Sequence, residues 1–168
     1  VGCIAQHSDS YLNVELTGSG PYHIEVGDTT QHGGSAYAYR LRLTPPQPNF
    51  EVYVSPSSVN VSAGRSAPIT VTVVRKDGFD GRVDLALENA PGLTLDAPRV
   101  PAGKNVVRAT ITAAQNAAGE PVAVRVRAHA TIAGASVEHD AVPADDMMQA
   151  FIYHHLVTSS RMLVSVQP

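Results

Sequence analysis

Apolar and polar residues alternate with a period of two along most of this chain. Leu12, Val14 and Leu16 take one side, Asn13 and Glu15 the other. After the turn signal Thr17-Gly18-Ser19-Gly20-Pro21, Tyr22, Ile24 and Val26 alternate with His23 and Glu25. A polar loop from Asp28 to Ser35 leads to Tyr37, Tyr39, Leu41 and Leu43, which alternate with Ala36, Ala38, Arg40 and Arg42. Successive side chains on a pleated strand point to opposite faces, so each run predicts a strand with one buried and one wet face. On this pattern Tyr37 and Tyr39 belong to a core. About three strands are predicted here.

The stretch Thr44-Pro45-Pro46-Gln47-Pro48-Asn49 cannot continue a central strand, because proline lacks the N–H that a sheet needs. It marks a boundary between a module at residues 1–46 and a second at 47–168. In the second, Phe50, Val52 and Val54 open a strand, and Val59 and Val61 continue after Pro56-Ser57-Ser58. Ile69, Val71 and Val73 predict the next. The loop Lys76-Asp77-Gly78-Phe79-Asp80-Gly81 separates it from Val83, Leu85 and Leu87. A short irregular stretch around Leu93 and Leu95 precedes Val107, Ala109 and Ile111. The clearest strand runs from Val122 to Ile132, with Ala133-Gly134 turning it into Ser136–Asp140. Met162, Val164 and Val166 close the series.

Residues 145–156 break the rule of two. Met147, Met148, Phe151, Ile152 and Leu156 recur at helical spacing, and Asp146 with Gln149 resembles a capping box. A short helical turn is predicted, with a bulky extended crossover as the competing reading. The fold class is therefore all-β: a partial β-sandwich of about three strands, then an immunoglobulin-like β-sandwich of about seven strands carrying one helical turn near its end.

Composition supports that reading and removes some functions. Of the 168 residues, 43% are hydrophobic and 16% charged, enough apolar content for a core. Thirteen glycines and twelve prolines suit frequent turns. The net charge of −3 leaves no basic footprint for nucleic acid. No apolar run approaches the ~18 residues of a membrane-spanning helix. A single cysteine, Cys3, excludes an internal disulfide, and no activating motif surrounds it. The chain begins with Val and reads as an excised piece of something longer.

Gly20-Pro21-Tyr22-His23-Ile24-Glu25-Val26-Gly27-Asp28, then Gly33-Gly34 and Tyr37-Ala38-Tyr39-Arg40-Leu41, resemble the second half of a bacterial pre-peptidase C-terminal domain. Asp9-Ser10-Tyr11-Leu12 resembles the strand before it, so the likeness covers residues 7–43. It implies a β-sandwich accessory to exported bacterial proteins, without catalysis. The family's N-terminal half and its acidic loop are missing, so no calcium site carries over. Residues 75–81, 143–151 and 155–157 resemble an immunoglobulin-like region that follows such domains in bacterial surface proteins. The resemblance implies an extracellular or cell-surface location.

Chemistry-bearing candidates are few. His139 with Asp140, and His154 with His155, are the only histidine clusters, and adjacent His154 and His155 diverge on a strand or a helix, which opposes shared metal ligation. Asp77 and Asp80 have too few companions for a calcium loop and suit a turn. No nucleophile motif of the Gly-x-Ser-x-Gly type occurs. Arg125, Arg127 and His129 form a stripe that reads as a solvated strand face, with an acidic partner as the alternative. Asn60-Val61-Ser62 fits a glycosylation sequon, a motif common by chance. The chain is thus expected to have no catalytic, cofactor-binding or metal site. It is expected to serve as a non-enzymatic accessory or structural interaction module. A carbohydrate- or matrix-protein-binding module is the alternative, and a metal-dependent hydrolase fragment a remoter one. Expected partners are protein, polysaccharide, or a second copy meeting through the truncated N-terminal strands.

Overall fold

The computed structural model describes residues 12–27, 30–117, 119–149 and 153–168. Every regular element among them is a strand. In chain order these are β1 Asn49–Ser55, β2 Ser58–Ser62, β3 Ser66–Lys76, β4 Val83–Glu88, β5 Leu93–Asp96 and β6 Arg99–Val100. They continue as β7 Val106–Ala113, β8 Val122–Ile132, β9 Ala135–Asp140, β10 Val142–Gln149, β11 Tyr153–Thr158 and β12 Met162–Gln167.

The strands form two sheets facing one another. One runs β11-β10-β1-β3-β7-β5; the other runs β2-β12-β8-β4-β6, with β9 also on β8. The alternation decides which side chains face inward. In β1 the buried positions are Phe50, Val52 and Val54. In β8 they are Val124, Val126, Ala128 and Ala130, while Arg125, Arg127 and His129 point outward. Ile69, Val71 and Ile111 from the first sheet and Val83, Met162 and Val164 from the second sit in one core cluster, each at most 2% exposed. Removing such β-branched and aliphatic side chains from water, at about 25 cal/mol per Å², is the main force closing the two layers.

Repeated crossovers stitch the layers together. β1 lies antiparallel to β3 in the first sheet. The chain then turns at the cis Ser55–Pro56 peptide and β2 runs parallel to β12 in the second. Likewise β9 pairs with β8, but beyond Ala141 the chain changes layer and β10 runs parallel to β1. The Lys76–Gly81 loop is also a crossover, since β3 and β4 belong to different sheets. Its Asp77 and Gly78 adopt left-handed φ of 50° and 81°. Ala133 and Gly134, with φ of 49° and 84°, close the expected β8–β9 hairpin between Ile132 and Ala135.

The all-β expectation holds, and three parts of it are revised. The helical turn at 145–156 is not formed: Ala144–Gln149 of β10 pair residue for residue with Tyr153–Thr158 of β11. Six cross-strand pairs satisfy more backbone groups than one helical turn would, and they extend an existing sheet. Phe151 and Ile152 lie outside the described residues. The irregular stretch around Leu93 contains β5 and β6, the former paired to β7. Finally, the three N-terminal strands are absent among the described residues of 12–48. Tyr37 and Tyr39, expected in a core, are 58% and 76% exposed. A one-sided strand has nothing to bury its apolar face against without a second layer. Asp9, Ser10 and Tyr11 lie outside the described residues, as does Cys3.

Candidate interaction surface

The outer face of β8 carries the cationic stripe, and its neighbours carry the counter-charges. Register places Glu88 of β4 opposite Arg125, and Asp140 of β9 opposite Arg127. The Arg127 guanidinium lies 3.4 Å from each of Glu88, Glu138 and Asp140. Arg125 lies 3.6 Å from Asp140. The stripe therefore meets acidic groups of its own chain. Opposite charges directly across a sheet stabilise strand pairing by a few tenths of a kcal/mol to ~1 kcal/mol per pair. That role supports the order β4-β8-β9.

A second arginine serves the loops. Arg75, at the end of β3, has a side chain only 11% exposed. It donates to the carbonyls of Gly81 at 2.6 Å, Pro101 at 3.1 Å and Lys104 at 2.9 Å. Its guanidinium also lies 5.2 Å over the Phe79 ring. Phe79 in turn packs at 5.4 Å against Phe50, whose other neighbour is the edge-on ring of His139 at 4.9 Å. A planar donor with five N–H groups is suited to gather several carbonyls while stacking on an aromatic face. The Asp77–Asp80 loop is thereby a structural turn: Asp77 accepts from the Gln47 N–H at 2.8 Å, and Asp80 lies 3.8 Å from Arg75.

The histidines are dispersed. His139 shares a 2.8 Å hydrogen bond with Asn49 Oδ1. His154 pairs with Asp146 at 3.0 Å on β10–β11, while its neighbour His155 stands on the opposite face across from Met147. Among the described residues no three His, Cys, Asp or Glu side chains converge as metal ligands would. Asn60, of the sequon, points outward from the edge strand β2.

One cleft, of about 420 Å³, lies where two strands share one edge of β8. β12 pairs with Met162 opposite Val124, and β9 pairs with Asp140 opposite Arg127. Between them β9 leaves for the other sheet and β12 arrives. The fork is floored by Val54, Val124 and Met162 and rimmed by Asn89, Arg125, Ser160 and Arg161. Asp140 lines it, but His139 and His154 do not. Sequence reasoning missed this fork, because period two says which face a residue takes and nothing about which strands share an edge.

Two electrostatic details fix the hairpin and the first strand. Asp145 accepts hydrogen bonds from the Ser57 N–H at 2.9 Å and the Ser57 hydroxyl at 2.8 Å. These bonds, the backbone one first, hold its carboxyl below the usual carboxylate range. On β1, burial and then the Glu51 carboxylate raise the pKa of Tyr53, whose hydroxyl donates to Glu51 at 3.2 Å. Lys76 forms an ion pair with the same Glu51.

No family model matches the chain, and no curated protein does. Among solved structures, the chain is similar to the crystal structure of domains 4 and 5 of the S-layer protein SbsC, at 18% identity and a TM-score of 0.38. The likeness covers 56% of this chain and spans about half, 46%, of that structure. Among the described residues no helix is long and apolar enough to cross a membrane.

Proposed function

We propose that this chain is a non-catalytic structural module of a larger exported bacterial protein. In this reading residues 47–168 form an immunoglobulin-like spacer and residues 1–46 the end of a pre-peptidase C-terminal-like module. The supporting observation is how the polar side chains are used. Arg127 is surrounded by Glu88, Glu138 and Asp140, Arg75 by three loop carbonyls, and Asp145 by Ser57. Each holds one strand or loop to another, the work expected of a load-transmitting sandwich. The test is a panel of glycosidic, peptide and ester substrates together with force or thermal unfolding of the chain. This reading expects one cooperative unfolding transition and no turnover. Turnover that disappears in a cleft variant such as Arg161→Ala would contradict it.

A second reading, a polysaccharide- or matrix-protein-binding module, is favoured by the fork cleft, whose size suits a small saccharide or side chain. It predicts submillimolar binding on a glycan or matrix-protein array that weakens in Arg125→Ala and Arg161→Ala.

A further inference from the structure

The fork beside β8 gathers positive charge on a chain whose net charge is −3. β12 runs antiparallel to β8, with Leu163 opposite Ala123 and Met162 opposite Val124. Continued by one step, the same register sets Arg161 across from Arg125. Met162 and Val124 are buried, so alternation turns both arginines to the outer side. Both line the cleft of about 420 Å³. Like charges directly across two strands are destabilising.

The nearby carboxylates do not relieve this pair. Asp140, the acidic residue of the cleft lining, lies 3.6 Å from Arg125 but is shared with Arg127 at 3.4 Å. Glu88 stands opposite Arg125 in register, yet its carboxylate lies 3.4 Å from Arg127. The Arg161 guanidinium makes no ion pair or hydrogen bond among the described residues, and neither do the side chains of Asn89 and Ser160 on the same rim. Arg75 and Arg127 spend their donors on loops and strands, whereas here the donors converge on open space. Two planar guanidinium forks at one gap match an oxyanion, which each can bind through paired N–H donors. The rest of the lining favours a sugar as its carrier. Ser160 and Asn89 can each donate and accept, as ring hydroxyls require, and an aspartate or glutamate side chain would leave them unanswered. The volume falls within the ~300–1,000 Å³ of small-ligand clefts, far more than one carboxylate fills.

We propose that the fork cleft binds an acidic saccharide, its carboxylate or sulfate group bridging Arg125 and Arg161 and its hydroxyls meeting Asn89 and Ser160. The proposal rests on the polysaccharide-binding reading above and narrows it to anionic sugars. The bound anion offsets the repulsion between the two arginines, so affinity falls as salt rises.

The test is calorimetric titration of the full chain at low salt with four probes of matched length. These are an oligogalacturonide, a sulfated oligosaccharide, the carboxyl-reduced neutral oligosaccharide and a glutamate-rich peptide. Submillimolar binding of an acidic saccharide is expected, and which of the two binds identifies the anionic group. Arg161→Ala and Arg125→Ala should each weaken it by about tenfold or more. Arg108→Ala removes the same charge from an exposed position on β7, in the other sheet, and should leave binding unchanged. Ligand-free Arg161→Ala should keep the parent's melting temperature, which separates lost binding from lost fold. Equal binding of the neutral saccharide overturns the anionic assignment and leaves the polysaccharide reading standing. Binding by none of the saccharides overturns both. The peptide binding as tightly as the acidic saccharides overturns the choice of a sugar. Saccharide binding unaffected by Arg161→Ala, or weakened as much by Arg108→Ala, overturns the assignment to this cleft.

Discussion

Residues 12–43 and β1–β12 are written in the same code and end differently. Leu12-Asn13-Val14-Glu15-Leu16 alternates as regularly as the run from Val122 to Ile132. Yet Val14 and Leu16 are each 59% exposed, whereas Val124 and Val126 are 6% and 2% exposed. The local pattern is not the difference. β8 has β4 on one edge, β9 and β12 on the other, and a second sheet across its inner face. The N-terminal runs have no such layer within the described chain. Alternation specifies which face wants burial; a packed opposing layer decides whether burial happens.

The widest separation between the regions should appear on truncating apolar side chains. Ile111→Ala, at a fully buried position, should cost about 2–5 kcal/mol in denaturant unfolding, whereas Leu41→Ala should change sandwich stability by less than about 0.5 kcal/mol. A comparable loss from both would mean that residues 12–43 are packed on the sandwich. The arginines give the next contrast. Arg75→Ala removes the donors to Gly81, Pro101 and Lys104 and should cost about 1–3 kcal/mol. Arg75→Lys should recover only part, since an ammonium cannot span three carbonyls or stack on Phe79 as a guanidinium does. Arg40→Ala should be close to neutral by the same thermal measurement.

Glycine substitution separates the regions more finely. A Cβ on Gly81 would lie 2.7 Å from the Phe79 ring, which Phe50 and Arg75 hold in place. Gly81→Ala should therefore cost about 1–2 kcal/mol by overpacking, while Gly33→Ala, with nothing within 4 Å, should be silent. The smallest effect concerns pH. The Asp145 carboxyl is held low by Ser57, so its stabilisation is fully present above the unfolded-state value of about 3.9. It fades as pH falls through the lower folded value. The melting temperature of the parent should exceed that of Asp145→Asn at pH 6, and the gap should close toward pH 2.

Most of the sandwich was legible because its strands have a buried face that the sequence spells out. The runs at Phe50–Val54, Ile69–Val73, Val83–Leu87, Val107–Ile111 and Val122–Ile132 all fall inside strands of the fold. What periodicity could not convey was partnership. It gave no sign that β1 and β2 lie in different sheets, or that β9 and β12 fork beside β8 to leave a cleft. The β10–β11 hairpin misled for a related reason. Both of its faces are substantially exposed, with Met147 at 52% and Met148 at 66%, so its apolar residues carry no alternation and their spacing imitates a helix. The N-terminal runs were over-read in the opposite sense, since a clean pattern was taken to imply a layer to pack against. The outer-face arginines were legible as cations, but their carboxylate partners on β4 and β9 became visible only with the register.

Amide hydrogen exchange tests the central contrast most directly. The account predicts slow exchange for the amides of β1, β3, β7 and β8, and exchange near the unprotected rate from residues 12–27 and 30–46. Strong protection of the alternating N-terminal runs under those conditions would contradict it, as would the absence of protection in β3 and β8.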